Sequence, residues 1–120
     1  MKYLASPYTH DNPDVKKERF EAVCEVASYM MLKGEHVFSP IAHTYPIAVH
    51  GGVPTDWDFW GDYDKEFLNF CEELIILMLP GWKESVGVTA EIEYMRELGK
   101  KVSYTFDGKD FYETPQEKIN

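Results

Sequence analysis

The chain has 120 residues, 44% of them hydrophobic and 28% charged, with a formal net charge of -9 at pH 7. That composition excludes a disordered chain, and the length fits one domain that buries roughly two-thirds of its unfolded surface. The negative charge has the wrong sign for a protein that grips duplex DNA or RNA by its phosphates, so neither is an expected partner.

Lys2 to Ala5 read as a first strand, followed by a polar loop from Ser6 to Asn12. Asn12-Pro13 is a helix start, because asparagine caps free amides and proline fits the first turn. Phe20, Val23, Cys24, Ala27, Met30 and Met31 recur at helical spacing, and the predicted helix runs to about Lys33, where Gly34 stops it. Glu35 to Ser39 form a short second strand. Residues 40–59 hold prolines, a Gly-Gly pair and two histidines without a clear period, and are expected to form a long functional loop. A helix from about Asp62 to Glu73 comes next. Leu74 to Leu79 form an apolar strand suited to the middle of a parallel sheet. A helix from about Ser85 to Leu98, a strand from Val102 to Phe106 and a turn at Asp107-Gly108 follow. Phe111-Tyr112 is expected to pair back, and the tail from Glu113 is expected to be peripheral.

Strands that alternate with amphipathic helices imply an α/β domain, with a mainly parallel four- or five-stranded sheet between helical layers. Ligands in such sheets bind beyond the carboxyl ends of the strands. Those ends here are Ser6-Pro7-Tyr8, Ser39-Pro40 and Pro80-Gly81-Trp82.

Two carboxylates break the helical pattern near those ends. Val88, Ile92, Met95 and Leu98 form the inward stripe of the last helix, and Glu91 is the one charged residue that shares it. An inward carboxylate needs a partner or a use; it can be a poised nucleophile or base, or a structural glutamate held by backbone or a tyrosine. In the preceding helix Asp64 falls on the stripe of Trp60, Phe67, Leu68 and Cys71, as a functional acid or as a cap for a helix that starts at Asp62. Ser85 and Gly87 open the last helix and offer a hydroxyl and free amides to a ligand; Ser6 stands in the equivalent place after the first strand. Tyr8 can supply a ring for base stacking or serve in ordinary packing, and Trp82 and His43 are further candidate contacts. His43, His50, Asp56 and Asp58 lack the spacing of a metal site, and no cofactor-binding loop is found, so neither metal nor cofactor is expected. Cys24 and Cys71 read as reduced thiols. With no span or leader signal in the sequence, a cytosolic protein is expected.

The segments Tyr3-Leu-Ala-Ser-Pro-Tyr8, Asp64 with Leu68 and Cys71-Glu72, Pro80-Gly81-Trp82-Lys-Glu-Ser85-Val-Gly87-Val-Thr-Ala-Glu91 and Gly99-Lys-Lys-Val102 resemble the nucleoside 2-deoxyribosyltransferase superfamily, which includes deoxynucleoside-monophosphate N-hydrolases. The likeness is greatest to a bacterial and phage branch, and it leaves out about residues 44–59 and the tail. It implies a flavodoxin-like fold and cleavage of the N-glycosidic bond of a nucleoside or nucleoside 5′-monophosphate. Glu91 matches the nucleophile, Asp64 the acid that serves the leaving base, and Ser6 and Ser85 the positions that hold the 5′ end. Tyr8 stands about where the monophosphate hydrolases carry an arginine. The two arginines, Arg19 and Arg96, are expected to face outward. A monophosphate would therefore rest on hydroxyls and amides at Ser85, with Lys83 the nearest cation. Water as acceptor gives a hydrolase, and a second base gives a transferase. The alternatives are a non-catalytic module that binds or sequesters a nucleotide derivative, and a different enzyme on the same fold. A homodimer or dimer-based oligomer is expected from the 15% aromatic content and from family members in which a neighbouring subunit closes the pocket.

Overall fold

The structure, a computed structural model, describes residues 1–117. Its strands are β1 (Lys2–Ala5), β2 (Val37–Phe38), β3 (Glu73–Leu77), β4 (Lys101–Thr105) and β5 (Phe111–Tyr112). They form one five-stranded sheet in the order β2-β1-β3-β4-β5, parallel except for β5, which runs antiparallel to β4. The helices are α1 (Pro13–Leu32), α2 (Pro40–Gly51), α3 (Trp57–Phe70) and α4 (Val86–Glu97). This is the flavodoxin-like three-layer arrangement, with a sheet between helices on both faces.

The alternation of side chains along the strands decides which helix covers which face. Leu4, Ile75 and Leu77 point to one face and pack on Val23, Ala27 and Met30 of α1 and Ile41 of α2. Tyr3, Ala5, Leu74, Ile76 and Tyr104 point to the other and meet Leu68 of α3 and Val88 and Met95 of α4. Because both faces of β1 and β3 are covered, these strands read as unbroken apolar runs. Phe38 of β2 joins the second layer by stacking on Phe67, with ring centroids 4.0 Å apart.

Local capping chemistry sets the helix starts. Asn12 accepts a bond from the Asp14 amide (2.9 Å) with Pro13 in the first turn. Ser39-Pro40 repeats that device, and Ser39 accepts from the Ala42 amide at 3.2 Å. Residues 40–59 are therefore not one long loop: α2 occupies 12 of them. Only its N-terminal half is inserted into the protein, through Pro40, Ile41 and Thr44, so no amphipathic period develops beyond it. Pro46 lies within the helix and removes one amide. The helix expected from Asp62 starts instead at Trp57, capped by Asp56, whose carboxylate accepts from the Phe59 amide at 3.0 Å. The remaining boundaries differ by two residues or fewer at most ends, as fraying ends do, although the second strand shrinks to Val37–Phe38.

The C-terminal end of α3 is tied to the start of β4 by one ammonium group. Lys100 Nζ donates to the carbonyls of Leu68 (3.0 Å), Asn69 (2.6 Å) and Cys71 (2.8 Å). A cation there satisfies the orphan carbonyls and meets the negative end of the helix dipole. Lys100→Met is expected to cost about 1–2 kcal/mol. Urea unfolding should show a lower midpoint at unchanged slope; an unchanged midpoint would contradict the capping role.

Candidate functional site

In the order β2-β1-β3, the chain leaves β1 toward β2 on one side and returns to β3 on the other. That reversal opens a crevice at the carboxyl ends of β1 and β3. A cavity of about 270 Å³ lies there, just under the usual range for small-ligand pockets, roughly 300–1,000 Å³. Ser6 and Tyr8 reach it from the loop after β1, Ile41 and Thr44 from α2, Trp57, Trp60 and Asp64 from α3, and Ser85, Gly87, Val88 and Glu91 from α4.

Glu91 is buried at the cavity floor, 4% exposed. The hydroxyl of Tyr3, itself fully buried on β1, donates a short hydrogen bond to Glu91 Oε2. Burial pushes the Glu91 carboxyl up to about 8; the Tyr3 bond pulls it down, and the charge of Asp64 pushes it up further. Asp64 is 7% exposed and lines the same cavity. With α3 starting at Trp57, Asp64 sits in mid-helix, which removes its capping role. Burial pushes its carboxyl up to about 7, against a lowering influence of Tyr3. Burial and the two carboxylates together hold the Tyr3 hydroxyl well above its ordinary range.

Among the described residues, two buried side-chain polar atoms lack a hydrogen-bond partner: Ser6 Oγ and Asp64 Oδ1. Both belong to residues that line this cavity. Unpartnered buried polar atoms are uncommon and costly, and a polar ligand would satisfy them.

Ser85 caps α4, accepting from the Val88 amide at 3.2 Å. Its hydroxyl proton and the amides of Val86 and Gly87 remain for a ligand at the helix N-terminus. The Trp57 indole lies between two glycines. A Cβ at Gly61 would stand 2.9 Å from Trp57 Cε2, and one at Gly87 would stand 3.7 Å from Cε3. Trp60, 8% exposed, donates its indole N–H to Pro54 O (2.7 Å), and Thr9 Oγ1 donates to Thr55 O (3.1 Å). The segment from 54 to 57 is thereby pinned along the pocket wall.

Arg19 does not face outward. Its guanidinium donates to the carbonyls of Tyr8 (3.4 Å), Thr9 (3.1 Å) and Pro80 (3.1 Å), which ties the loop after β1 to the loop after β3. Gly81 makes room for it. With φ at +94°, Gly81 adopts a left-handed conformation, and a Cβ there would stand 2.6 Å from Arg19 Nη2. Arg96 donates to the Tyr104 hydroxyl at 3.2 Å. Lys83 pairs with Glu117 at 2.7 Å and does not line the cavity.

Of the residues picked out by sequence, Ser6, Tyr8, Asp64, Ser85, Gly87 and Glu91 come together. Trp82 and His43 do not. Trp82 packs on Tyr104 with centroids 5.7 Å apart, because the 3-10 turn Trp82–Glu84 turns it onto the core. His43 lies on the exposed side of α2, where it meets the Tyr63 hydroxyl at 2.9 Å and stacks on its ring. Tyr3 and Thr44 were not among the residues expected at the site, and Trp57, expected with Trp60 as lid or core, lines the cavity. Tyr3 carried a detectable signal, a phenol in an apolar strand that must find a partner when buried. Among the described residues, no cluster of His, Cys, Asp and Glu side chains is placed to hold a metal ion, and no helix is long and apolar enough to cross a membrane.

Two carboxyls raised above their ordinary values of 3.8 and 4.5 make stability depend on pH. Below about pH 4 the folded and unfolded states both hold these protons. Between there and about 8 the unfolded chain releases them first, so stability falls as pH rises. The thermal midpoint is expected to be higher at pH 5 than at pH 8.5. Glu91→Gln should match the wild type near pH 4.5 and exceed it at pH 8.5; parallel curves would contradict a buried, reluctant carboxylate.

A comparison with curated proteins finds no match. A family model described as a domain of unknown function (DUF1937) matches residues 1–106, which takes in β1 to β4 and every cavity-lining residue. The chain belongs to the DUF1937 family.

Proposed function

We propose that the protein cleaves the N-glycosidic bond of a nucleoside or nucleoside 5′-monophosphate, with Glu91 as nucleophile and Asp64 as the acid that serves the leaving base. The observation that carries this reading is the convergence of two buried carboxyls from different helices on one cavity, with Asp64 Oδ1 and Ser6 Oγ unpartnered. Glycosidic cleavage passes through an oxocarbenium-like state, for which such a pair is suited.

The two carboxyls titrate as a coupled pair, so one proton is shared near neutral pH. Tyr3 donates to Glu91 and favours the anion of both carboxyls, and Asp64 Oδ1 has no partner among the described residues. Burial lifts Glu91 (to about 8) above Asp64 (to about 7), so the reactive form is the one in which the proton has moved to Asp64 and the charge to Glu91. Glu91 attacks the anomeric carbon as Asp64 gives its proton to the departing base. Water or a second base then releases the sugar from Glu91. Ser6, Ser85 and the first amides of α4 line the same cavity and are the partners proposed for the sugar's hydroxyls and 5′ end.

The exposed apolar residues Ile47 and Val49 on α2 and Phe59 and Tyr63 on α3 give a homodimer or dimer-based oligomer a surface to form on. Light scattering at micromolar concentration is expected to show a species larger than the 14.0 kDa chain; a monomer alone would contradict it.

The activity test is incubation with a panel of nucleosides and nucleotides, followed by chromatography for free base. Wild type should release base from at least one of them, folded Glu91→Gln should release none, and Asp64→Asn should be slowed by ~10²–10⁴ on a neutral-base substrate. Near-full activity of Glu91→Gln would remove the nucleophile assignment. Ligand binding without release by the wild type would favour a nucleotide-binding module.

A further inference from the structure

The ionisable carboxyl groups that line the cavity are met by no cationic side chain among the lining residues. Asp56, Asp58, Asp64 and Glu91 supply these carboxyls, and among the described residues no lysine, arginine or histidine lines the cavity. None of these four carboxylates forms an ion pair among the described residues. Cations near the lining are engaged elsewhere: Arg19 holds three loop carbonyls, Lys83 holds Glu117, and Lys65, next to Asp64 in sequence, lies over the Tyr94 ring. The apolar part of the lining is rich in π surface, from Tyr8, Trp57 and Trp60.

Each of these features alone suits many ligands. Together with an unpartnered Asp64 Oδ1 in a residue 7% exposed, they specify charge. A phosphate dianion would enter a field of carboxylates without an arginine or lysine to meet it, and such an arrangement costs affinity. A cationic ring gains from both the carboxylates and the aromatic side chains of the lining, since aromatic walls attract cations more strongly once water is excluded.

Resting on the glycosidase reading above, we propose that the pocket's substrate is a nucleoside without phosphate whose base carries a positive charge at the glycosidic nitrogen. A pyridinium or N-alkylated base fits that description. The chemistry is balanced without an external acid. The C1′–N bond breaks, its electron pair returns to the ring nitrogen and cancels the positive charge, and a Glu91 oxygen bonds C1′. Water then adds to C1′, one proton passes to solvent, and the Glu91 carboxylate is restored. The leaving base needs no proton, so Asp64 Oδ1 is free to accept a sugar hydroxyl.

The test uses three probes on Glu91→Gln by calorimetry: nicotinamide riboside, which has a fixed charge; benzamide riboside, its neutral carbon isostere; and nicotinamide mononucleotide, which adds a phosphate. Nicotinamide riboside should bind about tenfold tighter than benzamide riboside, the weight of one desolvated cation–π contact, and tighter than the mononucleotide. Asp58→Asn, at an exposed position on the lining, should narrow the gap between the charged and neutral ribosides. Equal affinity for the two ribosides, tighter binding of the mononucleotide, or binding of none overturns the proposal. In activity assays, Asp64→Asn should slow release from a neutral-base nucleoside far more than release of nicotinamide; equal slowing also counts against it. The two readings separate cleanly. If the affinity order holds but wild type releases no nicotinamide, the charge preference stands and the glycosidase reading falls. If neutral nucleosides are cleaved but the two ribosides bind alike, the reverse holds.

Discussion

The structure depends on keeping one carboxylate in an apolar place. Glu91 lies between α4 and the sheet, where burial opposes its charge, and the hydroxyl of Tyr3 is the hydrogen bond that favours it. An unpaired buried charge is among the most costly features that a small core can hold. A single donor from a central strand reduces that cost without neutralising the group by a cation, so the carboxylate stays ionisable. The bond also fixes α4 on β1 at the end of the sheet where the crevice opens.

Several other features keep this arrangement in register. The Arg19 guanidinium ties together the loops that follow β1 and β3, and Gly81 gives it space. Lys100 holds the end of α3, the helix that carries Asp64. Ser85 starts α4 six residues before Glu91, so the nucleophile candidate sits less than two turns from a helix N-terminus. The insertion of only the N-terminal half of α2 places Ile41 and Thr44 on the wall and leaves the rest of that helix outside. The cavity is thus formed by contributions from one strand end and the starts or middles of three helices, and no single segment encloses it.

Much of this was legible in the residues. The unbroken run of Leu74 to Leu77 is apolar because both faces of β3 are covered, and it marks a central parallel strand. Glu91 stood out because a charge on an inward stripe breaks a strong period. Asp64 stood out less, since its distance from the helix start was misjudged. That misjudgement came from Asp56, a capping residue hidden among other polar and aromatic residues. The second helix was not legible because its amphipathic signal spans only its N-terminal half and is interrupted by Pro46, although Ser39-Pro40 carried the same start signal as Asn12-Pro13. Trp82 and His43 were misplaced for a different reason: proximity to a strand end in sequence does not decide which way a side chain turns. Tyr3 and Trp57 act through contacts distant in sequence or across helices, which a linear pattern does not reveal.

The proposed glycosidase chemistry requires that a Glu91 oxygen bonds the sugar carbon. A 2′-fluorinated nucleoside slows both steps of glycosyl transfer and allows a covalent species to accumulate. Mass spectrometry of the protein quenched after incubation with such a nucleoside is expected to show one added sugar, carried by the peptide that contains Glu91. Release of base with no adduct, or an adduct on another residue, would contradict the claim.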